Sequence, residues 1–184
     1  MKFDLARWIV WFPVAFLMHD FEELIFFEPW LKKNGGAIRA RVHNRVPAFV
    51  EKQLEGILEK TTGQFVVPIF LIFVLTCVST LLAVEFGSTP FFLLAASLYF
   101  IHGFLHIGQA ALLRRYVPAL ITSALVVLPY GAFLFWQLLA GGVLRLQEML
   151  LYFLAAIVLA VPFMLGMHWV GELLYQKAVR VLVG

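Results

Sequence analysis

Three short segments of this 184-residue chain place histidine and carboxylate at helical spacing. In His19-Asp20-Phe21-Glu22-Glu23, His19 stands three and four residues before two glutamates, so all three share one helix face. Asp20 points about 100° away around the same helix. In His102-Gly103-Phe104-Leu105-His106-Ile107-Gly108-Gln109, both histidines and Gln109 fall on one face. His168 and Glu172 form a third pair, again four residues apart. Imidazole and carboxylate ligands without thiolate suit iron, zinc or manganese. The single cysteine, Cys77, can build neither an intrachain disulfide nor a thiolate metal site. His19, Glu22, Glu23, His102, His106, His168 and Glu172 exceed what one tetrahedral zinc needs. They suffice for two divalent ions, bridged by Glu22 or Glu23, with Glu172 as ligand or base. Helical bundles that hold two iron or manganese ions draw on a similar inventory of inward Glu and His.

The elements that must carry these residues are membrane helices. The chain is 62% hydrophobic and 14% charged, against about half and one-quarter in soluble domains. That excludes a soluble enzyme, a disordered tail and a secreted disulfide scaffold. Five apolar stretches approach the roughly 20 residues that a spanning helix needs: residues 8–27, 64–86, 90–113, 117–139 and 149–174. The expected fold is all-α, a single transmembrane domain over residues 1–184 with about five spanning helices. His19, Asp20, Glu22 and Glu23 lie inside the first stretch, with no small-residue cleavage site after it, so it is not a removable signal peptide. In the loop 28–63, Lys32-Lys33-Asn34-Gly35-Gly36 reads as a turn. Val50, Leu54, Ile57 and Leu58 then mark one face of an amphipathic helix in the cytoplasmic interface, covering the bundle or gating it. Lys2, Arg7 and Arg145 fall on one side of the membrane and the rest of the 14 basic residues on the other. The positive-inside rule then puts the N-terminus outside and the C-terminus in the cytoplasm. The net charge of +3 is therefore topology signal, with no nucleic-acid partner implied.

Depth brings the three segments together. In a five-span chain the first, third and fifth helices run the same way. At 1.5 Å per residue, His19 and His102 sit about 1–2 Å past the centres of their spans, Glu22 and His106 about 7 Å, and His168 about 9–10 Å. All are displaced toward the cytoplasmic face. A charge at the bilayer centre costs about 2.5–3.5 kcal/mol on insertion scales. Intramembrane hydrogen bonds return only about 0.6 kcal/mol each on average. A purely structural polar network is thus a weak return for so many buried groups, and a metal site is the better reading. A proton or divalent-cation pathway is the competitor. No phosphate loop, serine-nucleophile turn or His-Glu-x-x-His motif is present.

His19-Asp20-Phe21-Glu22-Glu23 resembles the signature of the HXXEE-domain family, small multi-pass bacterial membrane proteins. A second landmark of that family, a His followed by Tyr-x-Pro-Gly, resembles His106 and Tyr116-Val117-Pro118 here, with Ala119 in the glycine's place. That departure leaves open whether a glycine-dependent turn forms at Ala119. The resemblance runs from Phe12 to about Trp136. It implies His19, Glu22, Glu23 and His106 as family-type residues and an integral protein of the bacterial inner membrane, and it names no reaction. His102, His168 and Glu172 come from spacing and depth alone. The expectation is a membrane metalloenzyme with a dinuclear, iron-type centre acting on a lipophilic substrate among the membrane lipids, by desaturation or hydroxylation. A zinc-dependent hydrolase and an ion transporter are the alternatives.

Overall fold

The computed structural model describes residues 3–45 and 47–182. Lys2 and the side chain of Val50, both used in the sequence reading, lie outside the described residues. The described chain is helical throughout: α1 (Phe3–Ile9), α2 (Phe12–Val42), α3 (Ala48–Leu58), α4 (Thr62–Glu85), α5 (Pro90–Leu113), α6 (Leu120–Ala140) and α7 (Leu146–Leu182).

Four of these, α4 to α7, are long and apolar enough to cross a membrane. Their outward residues are large and apolar, among them Leu112, Leu125, Val158 and Val161. Such a surface is stable only against lipid. Helix α2 is longer than α4, α5 or α6, but His19, Asp20, Glu22 and Glu23 set it apart in composition. Three of those four, His19, Asp20 and Glu22, are buried inside the bundle.

Local chemistry explains the helix ends. The chain breaks between α1 and α2 just before Pro13, which has no N–H to donate and sits in the first turn of α2. Thr61 and Gln64 form a reciprocal capping box that starts α4. Helix α5 stops at Arg114, and α6 starts after Ala119. Both residues are left-handed, at φ 52° and 64°. Ala119 thus takes a left-handed backbone of the kind glycine favours, although it carries a Cβ. Ala119 is fully buried, so its surroundings hold the unfavourable backbone in place. In α6, a π-helical turn at Ser123–Val127 precedes Pro129. The wider turn removes the clash between the proline ring and the preceding carbonyl.

The turn expected at Lys32–Gly36 is not there, because α2 continues through it to Val42. Lys32 pairs with Glu28 one turn earlier at 2.6 Å. Asn34 donates to the Trp30 carbonyl at 2.9 Å and accepts from Arg115 at 2.8 Å. Gly35 stays helical and packs beside Leu58 of α3, whose Cδ2 stands at ordinary contact distance, 3.6 Å, from where a Cβ would be. These side-chain contacts outweigh the roughly 1 kcal/mol propensity cost of each glycine.

The main core lies between α1, α2, α5 and α6, around the fully buried Ile9, Phe12, Phe92, Leu134 and Leu138. Phe12 meets Phe92 and Tyr99 edge-on, each at 5.5 Å. Gly171 brings α7 so close to α4 that a Cβ there would stand 2.5 Å from Pro68 Cδ. Gly103, next to His102, likewise brings α5 against α6, where a Cβ would stand 2.8 Å from Val127 Cγ1.

Candidate metal centre

Helix α2 supplies His19 and Glu23, and one turn-and-a-bit of α5 supplies His102 and His106. One ligand atom from each of the four lies within 4.8 Å of all the others. The His19 ring is 5.3 Å from that of His102 and 5.1 Å from that of His106, centre to centre. Nε2 of His102 and Nε2 of His106 are 2.8 Å apart, a single N–H···N hydrogen bond. Two imidazoles on one tetrahedral ion stand about 3.3 Å apart, given metal–nitrogen bonds near 2.0–2.1 Å. Opening the pair by half an ångström is within side-chain reach. His19 Nε2 is buried and has no hydrogen-bond partner. A buried ring nitrogen without a partner is costly unless something is bound to it.

Glu22 has a different task. Its carboxylate accepts from the Tyr116 hydroxyl at 2.7 Å, from Ile121 N at 3.2 Å, and from Thr122 N and Thr122 Oγ1, both at 2.6 Å. Four donors use up both oxygens, so Glu22 caps the start of α6 in place of ligating. The Thr122 hydroxyl also lies 3.3 Å from His19 Nδ1. Its proton goes to Glu22, so its lone pair faces His19, and Nδ1 must carry a hydrogen. Nε2 then holds the free lone pair, turned toward the cluster. A ring oriented through its second nitrogen is the usual arrangement of a metal-ligating histidine.

Glu23 faces the cavity at the cluster. Asp20 lines that cavity too but stands outside the four-residue group. The remaining sequence candidates are elsewhere. Glu172 accepts from Gln64 at 3.1 Å and from Gln176 at 2.8 Å. His168 stacks on Phe65 at 5.1 Å and reaches the same cavity, with Nδ1 buried and without a partner. The structure therefore brings together four of the seven candidates and leaves Glu22, His168 and Glu172 apart. Sequence reasoning missed Thr122 and Tyr116. The signal was the Tyr116-Val117-Pro118 landmark, whose hydroxyl and following helix start both meet Glu22.

The cluster opens on a cavity of about 930 Å³ between α2, α3, α4, α5 and α7. Its walls are almost wholly apolar. Leu54, Ile57 and Leu58 of α3 form part of its wall beside Lys60.

The chain matches, over residues 10–134, the family described as "protein of unknown function with HXXEE motif". That is more than half of its length, and the chain belongs to this family. No curated protein and no solved structure is significantly similar to it.

Proposed function

We propose that this HXXEE-family protein is a membrane-embedded metalloenzyme that holds one divalent ion between His19, His102, His106 and Glu23 and acts on a lipophilic substrate in the adjoining cavity. The observation that carries the reading is the junction of the two features: three of the four clustered residues, Glu23, His102 and His106, form part of the wall of an apolar, lipid-sized space, with His19 directly behind them. Four ligands, with Glu22 and Glu172 otherwise engaged, favour one ion over two.

Iron is the preferred metal. His19, His102, His106 and Glu23 would hold an iron ion, which would supply dioxygen chemistry there. The cavity continues on both sides of the cluster, which suits attack on a C–H bond within a chain better than cleavage at a head group. For hydroxylation, R–H + O₂ + 2e⁻ + 2H⁺ gives R–OH + H₂O, so a two-electron membrane reductant such as a quinol is required. In this scheme the protein's residues orient and exclude water. Thr122 fixes the His19 tautomer, the apolar walls hold the chain, and Glu23 completes the set of groups that would hold the ion. Zinc is the second reading: His19, His102 and His106 would hold it, it would supply hydrolytic chemistry there, and Glu23 would stand beside it as a base in place of ligating. A proton or cation pathway is disfavoured, because beyond the cluster the cavity is walled by Phe12, Phe16, Phe91 and Leu94.

The five-span topology belongs to this proposal. With α2 as the first span, α3 lies in the cytoplasmic interface, the N-terminus is outside and the C-terminus is cytoplasmic. Support comes from the distribution of basic residues.

The test is turnover. Protein purified without a histidine tag is loaded anaerobically with iron or zinc and given membrane lipid, reductant and oxygen. Oxygen-dependent hydroxylated or desaturated lipid from the iron form, lost in Glu23→Gln, is the expected result. Turnover with zinc but not iron shifts the reading to hydrolysis. Conversion by neither form overturns the enzyme.

A further inference from the structure

The polar groups along the cavity are unevenly spread. Asp20 and Glu23 lie midway, beside the histidines. Lys60 lies at one end, in the link between α3 and α4, and is the only lysine or arginine lining the cavity among the described residues. His168 lines that same end, its ring stacked on Phe65, with Nδ1 sealed off from the cavity, so that the other ring nitrogen, Nε2, is the one able to meet a ligand. The start of α4 sits against α7 there, with Gln64 donating to Glu172 at 3.1 Å and Gly63 packed so close to Tyr175 that a Cβ would stand 3.3 Å from its hydroxyl. The opposite end is aromatic and aliphatic, at Phe12, Phe16, Phe91 and Leu94.

From this geometry we infer that the cavity binds a single-chain fatty carboxylate, its head on Lys60 and His168 and its chain running past the His/Glu cluster to Phe12 and Phe91. One cation and one ring N–H match the single charge and two oxygens of a carboxylate. A phosphate dianion would be under-compensated, with Glu172 also near Lys60. The carboxylates of Asp20 and Glu23 repel an anionic head from the middle of the cavity, so the head belongs at the Lys60 end. Apolar walls of this extent suit a hydrocarbon chain and no polar ligand.

The helical rise sets the register. Thr62, two residues after Lys60, bonds to Glu28, which is five residues beyond Glu23 on α2. The head therefore sits about 8 Å along the axis from the cluster. Phe12 is 11 residues before Glu23 and Phe91 is 11 before His102. Both helices place the apolar end about 16 Å beyond the cluster. A chain filling the cavity thus presents a carbon about one-third of the way from its head to the cluster.

This names the substrate class for the site proposed above and rests on that reading for the role of the cluster, though binding itself needs no metal. The experiment uses the full chain in lipid nanodiscs, metal-free and metal-loaded, with radiolabelled palmitate as the probe. Palmitate is expected to bind both forms. Palmityl alcohol should compete at least about tenfold more weakly, as befits the loss of a charged hydrogen bond. Lys60→Ala should weaken palmitate by a similar factor, and Lys60→Arg should restore it, which guards against misfolding. A photoreactive group placed one-third along the chain should label α5 around His102 to His106, and one at the tail should label near Phe12 or Phe91. Equal competition by the alcohol, stronger binding of lysophosphatidylcholine than of palmitate, or labelling of Phe91 from the head end would each overturn the proposal. Absence of bound metal with Lys60-dependent palmitate binding intact would sink the metal site alone.

Discussion

The Thr122 hydroxyl joins Glu22 to His19, and Thr122→Val removes it with little change in shape. The variant keeps three of the four donors to Glu22: Tyr116 Oη at 2.7 Å, Ile121 N at 3.2 Å and the backbone N of residue 122 at 2.6 Å. The cap on α6 therefore survives. What goes is one hydrogen bond to a carboxylate, worth about 1.5–3 kcal/mol in water-exposed proteins. Membrane interiors average nearer 0.6 kcal/mol for hydrogen bonds in general. A net destabilisation of about 1–2 kcal/mol follows. His19 Nδ1 loses its 3.3 Å partner, and with it the preference that turns Nε2 toward His102 and His106. Loss of such an orienting partner typically weakens a metal site by about 10–100-fold. Chelator competition for zinc or iron(II) in detergent reads the affinity, and thermal unfolding of the metal-free protein reads the fold. Thr122→Ser should restore most of the affinity. An affinity for Thr122→Val within twofold of wild type would refute the argument that Thr122 sets the tautomer of His19.

Glu22→Gln should be worse for the fold than Thr122→Val, because its amide NH₂ confronts donors that now have one acceptor oxygen; thermal unfolding should show a loss of about 3 kcal/mol or more. Gly171→Ala should destabilise by about 1–3 kcal/mol, since the new methyl meets Pro68 on its ring and backbone nitrogen; an unchanged melting temperature would count against the close α4–α7 contact. Glu28 gives an acid-side prediction. Hydrogen bonding from Lys32, then from the Thr62 N–H and hydroxyl, holds its carboxyl down to about 2, below the ordinary value near 4.5. A depressed folded value means that its contribution is complete above about 4.5 and fades as pH falls through about 2. Melting followed from pH 5 to pH 2 should drop more steeply in wild type than in Glu28→Gln. Glu172→Gln should leave metal binding unchanged, because that carboxylate is held by Gln64 and Gln176 away from the cluster.

Much of the site was legible because helical spacing is rigid. His19 with Glu23, and His102 with His106, could be paired by counting, and the hydropathy of α5 gave their common depth. The roles of adjacent glutamates were not legible. Glu22 and Glu23 have the same chemistry in sequence, and only the approach of Tyr116 and the start of α6 decides that Glu22 caps while Glu23 faces the cavity. Depth also says nothing about angle around the bundle. His168 lies near the right level but stacks on Phe65, and Glu172 is claimed by a neighbour 108 residues away. Gly35 and Gly36 read as a turn because isolated propensity favours one, yet Asn34, Arg115 and the packing of Leu58 carry the helix through. At Ala119 the backbone is left-handed without the residue that favours it, which a reading of local propensity does not anticipate, and the residue is fully buried where α6 starts against Glu22.

The most direct test of the central claim is metal content by mass spectrometry on untagged protein, before and after loading with iron or zinc, beside His106→Ala and Glu23→Gln. The account predicts about one ion per chain in wild type and little in either variant, with Glu172→Gln like wild type. Well-folded wild type that holds no ion after loading, or variants that retain it in full, would contradict it.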